Sequence, residues 1–369
     1  MKQKGVKLTG KDVMSIDIGQ HTTKIVAGKL GNGTIDIKHA VSVPTPQEGF
    51  EKGRITDFNV MKKTISGAMD ALKIRSRFAL CSLESSEIIT RELLLPLVSQ
   101  DQMESMLEFE IQQYMPIELS DYTVQPKILE EVMDDGVEKA RMLVTAVPKD
   151  LARNYYDLIQ SINLEPLVLD IQSNAIDKLF SGGFQFNGDK DLMEQVVAVI
   201  DIGHSRINVI IFEKGKYKFN RIINLGARNI NQNLANFMDV THAEAENYKY
   251  DIEDLNKEPS IPDDSSEVDS EIEKKLRVLN IARNSIDSWI EEIERVFKYY
   301  ITREAGNVID VVYLYGGMTQ MNGFEVYMQD AFGISTKIVH SLTKVNINQF
   351  SGESSLSCYL NAIGTMVRK

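Results

Sequence analysis

The sequence predicts a two-lobed α/β protein built on a duplicated strand-turn-strand unit. Three observations point there. The near-identical tetrapeptides Ile16-Asp17-Ile18-Gly19 and Ile200-Asp201-Ile202-Gly203 stand about half a chain apart. Each closes a short apolar strand, passes through a small polar turn and opens into two further strands. A chain of 369 residues is too long for one ordinary core.

In lobe one, strands are expected over 13–18, 24–30 and 34–43, with Gln20-His21-Thr22-Thr23 as the first turn. Val60, Ile65, Ala68, Met69 and Leu72 recur at helical spacing and predict a helix over 59–72. A strand over 78–83 completes this first part of the lobe, 1–84.

From Ser85 the texture changes. A strand over 88–95 is ended by Pro96. Polar residues near Asp101 cap a helix whose apolar residues Met103, Met106, Leu107, Ile111 and Tyr114 lie three or four apart, and Met115-Pro116 stops it. Strands over 124–133 and 139–146 flank the turn Asp134-Asp135-Gly136, and Pro148 opens a helix over 149–161. We read 85–165 as an inserted small α+β subdomain. A buried strand over 167–171 returns to lobe one, and the Gly-containing stretch 181–191 is expected to be the hinge, so that 166–190 rejoins the first lobe.

Lobe two repeats the pattern with strands over 196–202, 207–212 and 216–224, its first part being 191–225. Helices over 229–237 and 243–250 begin a second subdomain, 226–305. Within it, 251–271 is acidic, carries Pro259 and Pro262, and is expected to be a mobile surface loop. The amphipathic helix over 275–303 has the stripe Leu276, Leu279, Ala282, Ile286, Trp289, Ile290, Ile293, Val296, Phe297, Tyr300, a core pattern. The strand 311–315 runs into Gly316-Gly317 and starts the rest of lobe two, 306–350. A closing helix over 357–367, in the segment 351–369, is expected to pack back on lobe one.

A formal charge of −12 argues against a protein built mainly to hold nucleic acid. Cys81 and Cys358 are far apart and have no metal-ligand spacing, so both read as buried thiols in a reducing cytoplasm. No run reaches the ~18 apolar residues of a membrane span, and no apolar segment follows the basic start.

The chemistry concentrates at the two turns. Glycine lets backbone approach a phosphate closely, and Thr22, Thr23 and Lys24 add donors and a positive charge beside Gly19. Gln20 and His21 complete the first turn, and His204, Ser205 and Arg206 form the second. Carboxylates repel phosphate, so Asp17 and Asp201 suit magnesium held through water. An Asp-x-Gly turn alone is common; two of them on duplicated strands predict a cleft that grips a nucleotide phosphate chain from both sides. Gly316, Gly317 and Met318 stand where a flat base and ribose need bare backbone.

These three motifs, in this order, resemble the phosphate 1, phosphate 2 and adenosine motifs of the actin-like ATPase superfamily. Within it, Met106 to Ile117, with its glutamates followed by Tyr114-Met115-Pro116, is similar to the Glu…Tyr-x-Pro signature of the PilM family of type IV pilus assembly proteins, itself related to FtsA. Ala245-Glu246-Asn247-Tyr248-Lys249, Glu292-Ile293-Glu294-Arg295 and Tyr359 to Gly364 resemble segments shared by those two families. The resemblance covers essentially the whole chain. It implies a duplicated ribonuclease-H-like fold with a 1C-type insertion, ATP and Mg²⁺ as cofactors, and at most slow ATPase activity. It implies a cytoplasmic scaffold, peripheral at the membrane through a partner, the N-terminal cytoplasmic peptide of PilN. Other pilus platform proteins, assembly ATPases and further copies of the chain are additional expected partners. By the same carry-over Glu246 and Lys249 lie near ribose and adenine, Gly226, Arg228 and Asn231 open a helix beside the nucleotide, and Phe109, Tyr114, Met115 and Pro116 line or support the peptide groove. Gln172, with Asp170 beside it, is the candidate to orient an attacking water. Ile207 replaces a usual threonine and Met318 a usual small residue, departures that bear on hydrolysis more than on binding. The alternatives are an FtsA-like cell-division filament protein, which would need a basic amphipathic tail not seen here, and a small-molecule kinase of the same superfamily, which would need a carboxylate base facing a substrate pocket.

Overall fold

A computed structural model describes residues 9–31, 33–98, 100–115, 117–259, 268–303, 306–348, 350–351 and 355–367. Lobe one begins with β1 (Asp12–Ile18), β2 (Thr22–Leu30), β3 (Ile35–Pro44), a short hairpin of β4 (Phe50–Glu51) and β5 (Arg54–Ile55), α1 (Phe58–Ala71) and β6 (Phe78–Leu83). The insertion carries β7 (Ile89–Pro96), α2 (Gln100–Tyr114), β8 (Tyr122–Asp134) and β9 (Val137–Pro148). Lobe one resumes with α3 (Lys149–Ser161), β10 (Glu165–Ile171) and α4 (Gln172–Ser181). Lobe two holds β11 (Val196–Ile202), β12 (Ile207–Glu213), β13 (Lys216–Ile223), α5 (Ala227–Met238), α6 (His242–Tyr250), α7 (Val268–Ile301), β14 (Val311–Tyr315), α8 (Phe324–Phe332) and β15 (Ser335–Ile338). Two short strands, β16 (Val345–Ile347) and β17 (Phe350–Ser351), then pair with β3, and α9 (Leu360–Met366) closes the described fold.

The duplication seen in the sequence is a duplication of topology. Lobe one orders its strands β3-β2-β1-β6-β10, and lobe two orders them β13-β12-β11-β14-β15. In each, the first two pairings are antiparallel and the next two parallel. Asp17 faces Lys24 across one hairpin and Asp201 faces Asn208 across the other, each one residue before its strand ends. Strands such as β11 and β12 are buried along nearly their whole length, as expected where both faces of a sheet are covered.

One apolar cluster is shared between lobes. It joins Val13 and Leu80 of lobe one to Val199, Phe212 and Tyr313 of lobe two, through Phe180 on α4 and Tyr359 and Ile363 at the closing helix. Phe180 stacks on Phe212 with ring centres 4.2 Å apart. Helix α4 is the element least visible in the sequence. Its buried residues include Gln172, Asp177 and Lys178 alongside Ile176 and Leu179, so it has no polar face to mark a helical stripe. Its charges are tolerated because they are paired, Lys178 with Asp170 at 2.5 Å and Asp177 with Lys127.

The insertion has its own small core of Leu95, Leu107, Ile111, Met115, Met142 and Val144. Helix α3, which the sequence reading places in the insertion, packs its Leu151, Tyr155 and Leu158 into the lobe-one core with Met61 and Ile65. Its apolar stripe is satisfied by the larger sheet. The insertion also reaches lobe two. Arg141 on β9 donates to the carbonyls of Tyr217 at 3.0 Å and Lys218 at 3.2 Å, on the edge strand β13. It pairs with Glu130 at 2.9 Å, and Lys218 pairs with the same carboxylate at 3.2 Å.

The expected mobile loop needs correction in its described part. Ile252 and Leu255 are buried in the lobe-two core, Leu255 donates its N–H to the Asn322 carbonyl, and Arg283 donates to the Leu255 carbonyl. Two apolar residues among acidic neighbours are enough to anchor the segment. Residues 260–267 lie outside the described residues, and α7 begins at Val268. Both cysteines are free and buried. Among the described residues, no helix is long and apolar enough to cross a membrane.

Candidate functional site

The two hairpin turns open onto one cleft of about 520 Å³ between the lobes. Lobe one contributes Asp17, Gly19, Gln20, His21, Thr22, Lys24, Glu84 and Gln172. Lobe two contributes Asp201, Gly203, His204, Ser205, Arg206, Lys249, Gly316, Gly317 and Met318. Most of the predicted ligand residues therefore meet at one place.

The glycines serve the turns themselves. Gly19 N–H donates to the Thr22 carbonyl at 3.1 Å, and Gly203 N–H to the Arg206 carbonyl at 3.0 Å. A Cβ would sit 2.9 Å and 2.8 Å from those same carbonyl oxygens. Gly316 has φ +100, and a Cβ there would lie 2.3 Å from Asp201 Oδ1. That glycine lets the strand β14 end directly against the carboxylate.

Asp17 is buried, and its Oδ1 accepts from Ser82 Oγ at 2.8 Å and from Gln172 Nε2 at 3.0 Å. Asp201 accepts from Asn361 Nδ2 at 3.0 Å, and Asn361 in turn accepts from the Tyr315 hydroxyl at 3.1 Å. Burial pushes the Asp201 carboxyl up to about 7, against the pull of Lys24 and Asn361, and the nearby carboxylates Glu84 and Asp17 push the same way as burial. Burial also raises Glu84, which stands 3.9 Å from Arg206 across the cleft.

Several predicted residues are placed differently. Strand β2 alternates faces, so Thr22 and Lys24 line the cleft while Thr23 is fully buried and bonded to Thr45 at 2.8 Å. The Gln20 amide is engaged by the small hairpin, donating to the Phe50 carbonyl and accepting from Lys52 N–H. Gly226 and the first N–H groups of α5 hold the second turn from beneath: Ala227 and Arg228 donate to the carbonyls of Gly203 and His204 at 3.1 Å and 2.7 Å. Asn231, one turn further on, is buried, and its Oδ1 has no hydrogen-bond partner among the described residues. Asp170 does not line the cleft; it is paired with Lys178 and accepts from Asn174. Glu246 sits at the rim, 3.1 Å from His21 Nε2 and 3.8 Å from Lys249 Nζ. Ile207, at the place of the usual threonine, is a core residue of lobe two.

The sequence reading did not assign Ser82, Glu84 or Asn361 to the site, and it placed Arg206 in the second turn and Tyr315 in the strand before Gly316 without giving either a role there. Glu84 had a usable signal, since it follows a strand parallel to β1 at the carboxyl end of the sheet, where ligands bind in such folds. Asn361 lies in the closing segment Tyr359 to Gly364 singled out by resemblance, but no local pattern joins it to Asp201, because it enters from the far end of the chain.

The group this pattern implies is a magnesium nucleotide, and the residues fit it. Gln172 Oε1 and Glu84 Oε1 are buried in the cleft without hydrogen-bond partners among the described residues. Lys24, Arg206 and Lys249 line the cleft and would supply positive charge for a phosphate, the two aspartates would suit a hydrated hard cation, and Gly316-Gly317 leaves bare backbone.

On the insertion, Phe109 and Tyr114 are exposed at 65% and 54%. Met115 is buried in the insertion core, so it supports that face and does not line it. Pro116 lies outside the described residues.

The family described as "Type IV pilus assembly protein PilM" matches residues 15–369. The chain belongs to this family. Similar solved structures include a PilM-PilN type IV pilus biogenesis complex, with a TM-score of 0.78 at 18% identity over 96% of this chain and 97% of that one. Ethanolamine utilization protein EutJ from Carboxydothermus hydrogenoformans follows at 0.55 and 13%, over 100% of this chain and 94% of that one. The cell division protein FtsA of Bacillus subtilis (strain 168) is 23% identical over 358 residues, 88% of this chain and 78% of FtsA. This PilM-family chain thus has the actin-like two-lobed α/β fold and is related to FtsA at a distance.

Proposed function

We propose that this PilM-family protein holds Mg-ATP between its lobes and uses lobe closure to tune a peptide site at its insertion, where the N-terminal cytoplasmic segment of PilN docks. The observation that carries the reading is the pair of equivalent Asp-x-Gly turns, one per lobe, lining a single cleft. When bound, the nucleotide supplies dense negative charge and a hydrated cation. Lys24, Arg206 and Lys249 hold the former, and Asp17 and Asp201 the latter. Ser82 and Gln172 keep Asp17 in place, while Asn361 does so for Asp201. Gln172 donates its amide N–H to Asp17 and keeps its Oε1 free in the cleft, where it can accept a hydrogen bond from a water.

PilN as partner is supported by the similarity in fold to a PilM-PilN complex, and membrane contact would come through that partner. An extended peptide can take backbone bonds from a sheet edge and side-chain contacts from exposed aromatics such as Phe109 and Tyr114. The test is anisotropy of a labelled PilN N-terminal peptide with and without Mg-ATP. Binding is expected in both states, differing by about fivefold or more, the usual scale of coupling between sites. A peptide that binds in neither state ends the proposal.

The Arg141 contact with the edge of β13, beside the Glu130–Lys218 pair, is a physical link between insertion and lobe two. Arg141→Ala should leave peptide and nucleotide binding in place but bring their mutual effect down to about twofold or less. An unchanged coupling in that variant would move the link elsewhere.

A further inference from the structure

Each phosphate turn of this chain carries a histidine, and the two meet across the cleft. The His21 and His204 rings are 4.7 Å apart between centres and nearly parallel, at 16°. They come from opposite lobes, at the place where the two turns converge on the same space.

The groups facing this pair come from every element around it. Lys24 reaches it from β2 and Arg228 from α5. Helix α6 brings Glu246 and Lys249, and the Tyr250 hydroxyl donates to the same Glu246 carboxylate at 3.3 Å. Asp17, Asp201, Glu84 and Arg206 line the cleft around it. A His21 Nε2 placed 3.1 Å from the Glu246 carboxylate carries a proton there, so Nδ1 holds the lone pair in the neutral ring. Burial holds both imidazoles down. For His204 the reduction, to about 3, is reinforced by His21, Lys249, Arg228 and Lys24. For His21 it is opposed by Glu246. Two stacked rings cannot both charge cheaply, so the pair has room for one proton, and the ring beside the carboxylate is the better place for it.

We propose that His21 is a proton-accepting phosphate ligand: neutral in the empty cleft, it takes one proton from solvent at Nδ1 when an anionic phosphate chain lies between the turns, with neutral His204 stacked on it. The proposal rests on the nucleotide reading above. The sign follows from linkage. A ligand whose negative charge raises the imidazole's proton affinity is itself bound more tightly as pH falls, by up to about tenfold per pH unit for one full proton.

The experiment is calorimetric titration of the full chain with Mg-ATP at pH 6.5 and 7.5, in two buffers of different ionisation enthalpy. It is run on wild type, His21→Gln and His204→Gln. Wild type is expected to take up about one proton more per nucleotide than His21→Gln. The His21→Gln affinity should fall more at pH 6.5 than at pH 7.5, and His204→Gln should keep the uptake. Asp201 contributes the same proton release in all three proteins and cancels in the comparison. Equal proton counts for wild type and His21→Gln, with nucleotide bound by both, overturn the histidine assignment and leave the nucleotide site standing. Absence of nucleotide binding by wild type at both pH values overturns the nucleotide reading itself.

Discussion

Asp201→Asn is expected to raise the melting temperature of the ligand-free protein at pH 8 and to abolish the further rise expected of the wild type with Mg-ATP. The first effect follows from burial, which pushes the Asp201 carboxyl up to about 7. A folded-state value above the unfolded value means that the native protein binds more protons than the unfolded chain between roughly pH 4 and 7. Stability contributed by this group therefore falls as pH rises through that window, and the penalty is complete above it. Asparagine carries no charge to desolvate and can still accept the Asn361 N–H bond that Asp201 accepts. A gain of about 2 °C is reasonable at pH 8 for a chain of this size, and it should shrink toward nothing near pH 4. The second effect follows from chemistry: an amide is a poor partner for hydrated magnesium. Differential scanning fluorimetry across pH, with and without Mg-ATP, checks both. A wild-type ligand shift in the variant would remove Asp201 from the site.

Gly364→Ala is expected to be among the most damaging single-methyl changes in the chain. Gly364 lies on α9, where a Cβ would stand 2.3 Å from the Ala175 carbonyl oxygen and 2.7 Å from its carbon, both backbone atoms of α4. Neither helix can yield by rotating a side chain, so α9 must shift. Overpacking of this kind costs about 1–3 kcal/mol. The shift would also carry Asn361 away from Asp201, so the variant should lose nucleotide-dependent stabilisation together with melting temperature. Gly67→Ala is the matched control. It sits in α1 with nothing within 4 Å of the added methyl, and is expected to be stabilising by about 0.5–1 kcal/mol. Equal melting temperatures for the two variants would contradict the packing account.

Much of this architecture was legible because its signals are local. Alternation and apolar runs marked β1, β2, β11, β12 and β14, and 3.6-residue spacing marked α1, α2 and α7. Helix α4 was hidden because it is buried on all sides, and its charged residues masked the pattern. The segment after Asp251 was misread because acidity and proline outweighed Ile252 and Leu255, which are buried. Thr23 was grouped with Thr22 by adjacency, although strand geometry sends neighbours to opposite faces.

By itself, the sequence determined that this protein has two equivalent hairpins, each presenting an aspartate one residue before its strand ends. Strand periodicity and glycine turns are properties of a few consecutive residues. Only the tertiary structure decided how each aspartate is held and what surrounds it. Ser82 and Gln172 on Asp17, Asn361 on Asp201, Glu84 opposite Arg206, and the His21–His204 stack all join residues that chain order keeps far apart. Such contacts exist only once two lobes and a closing helix have packed around one shared core.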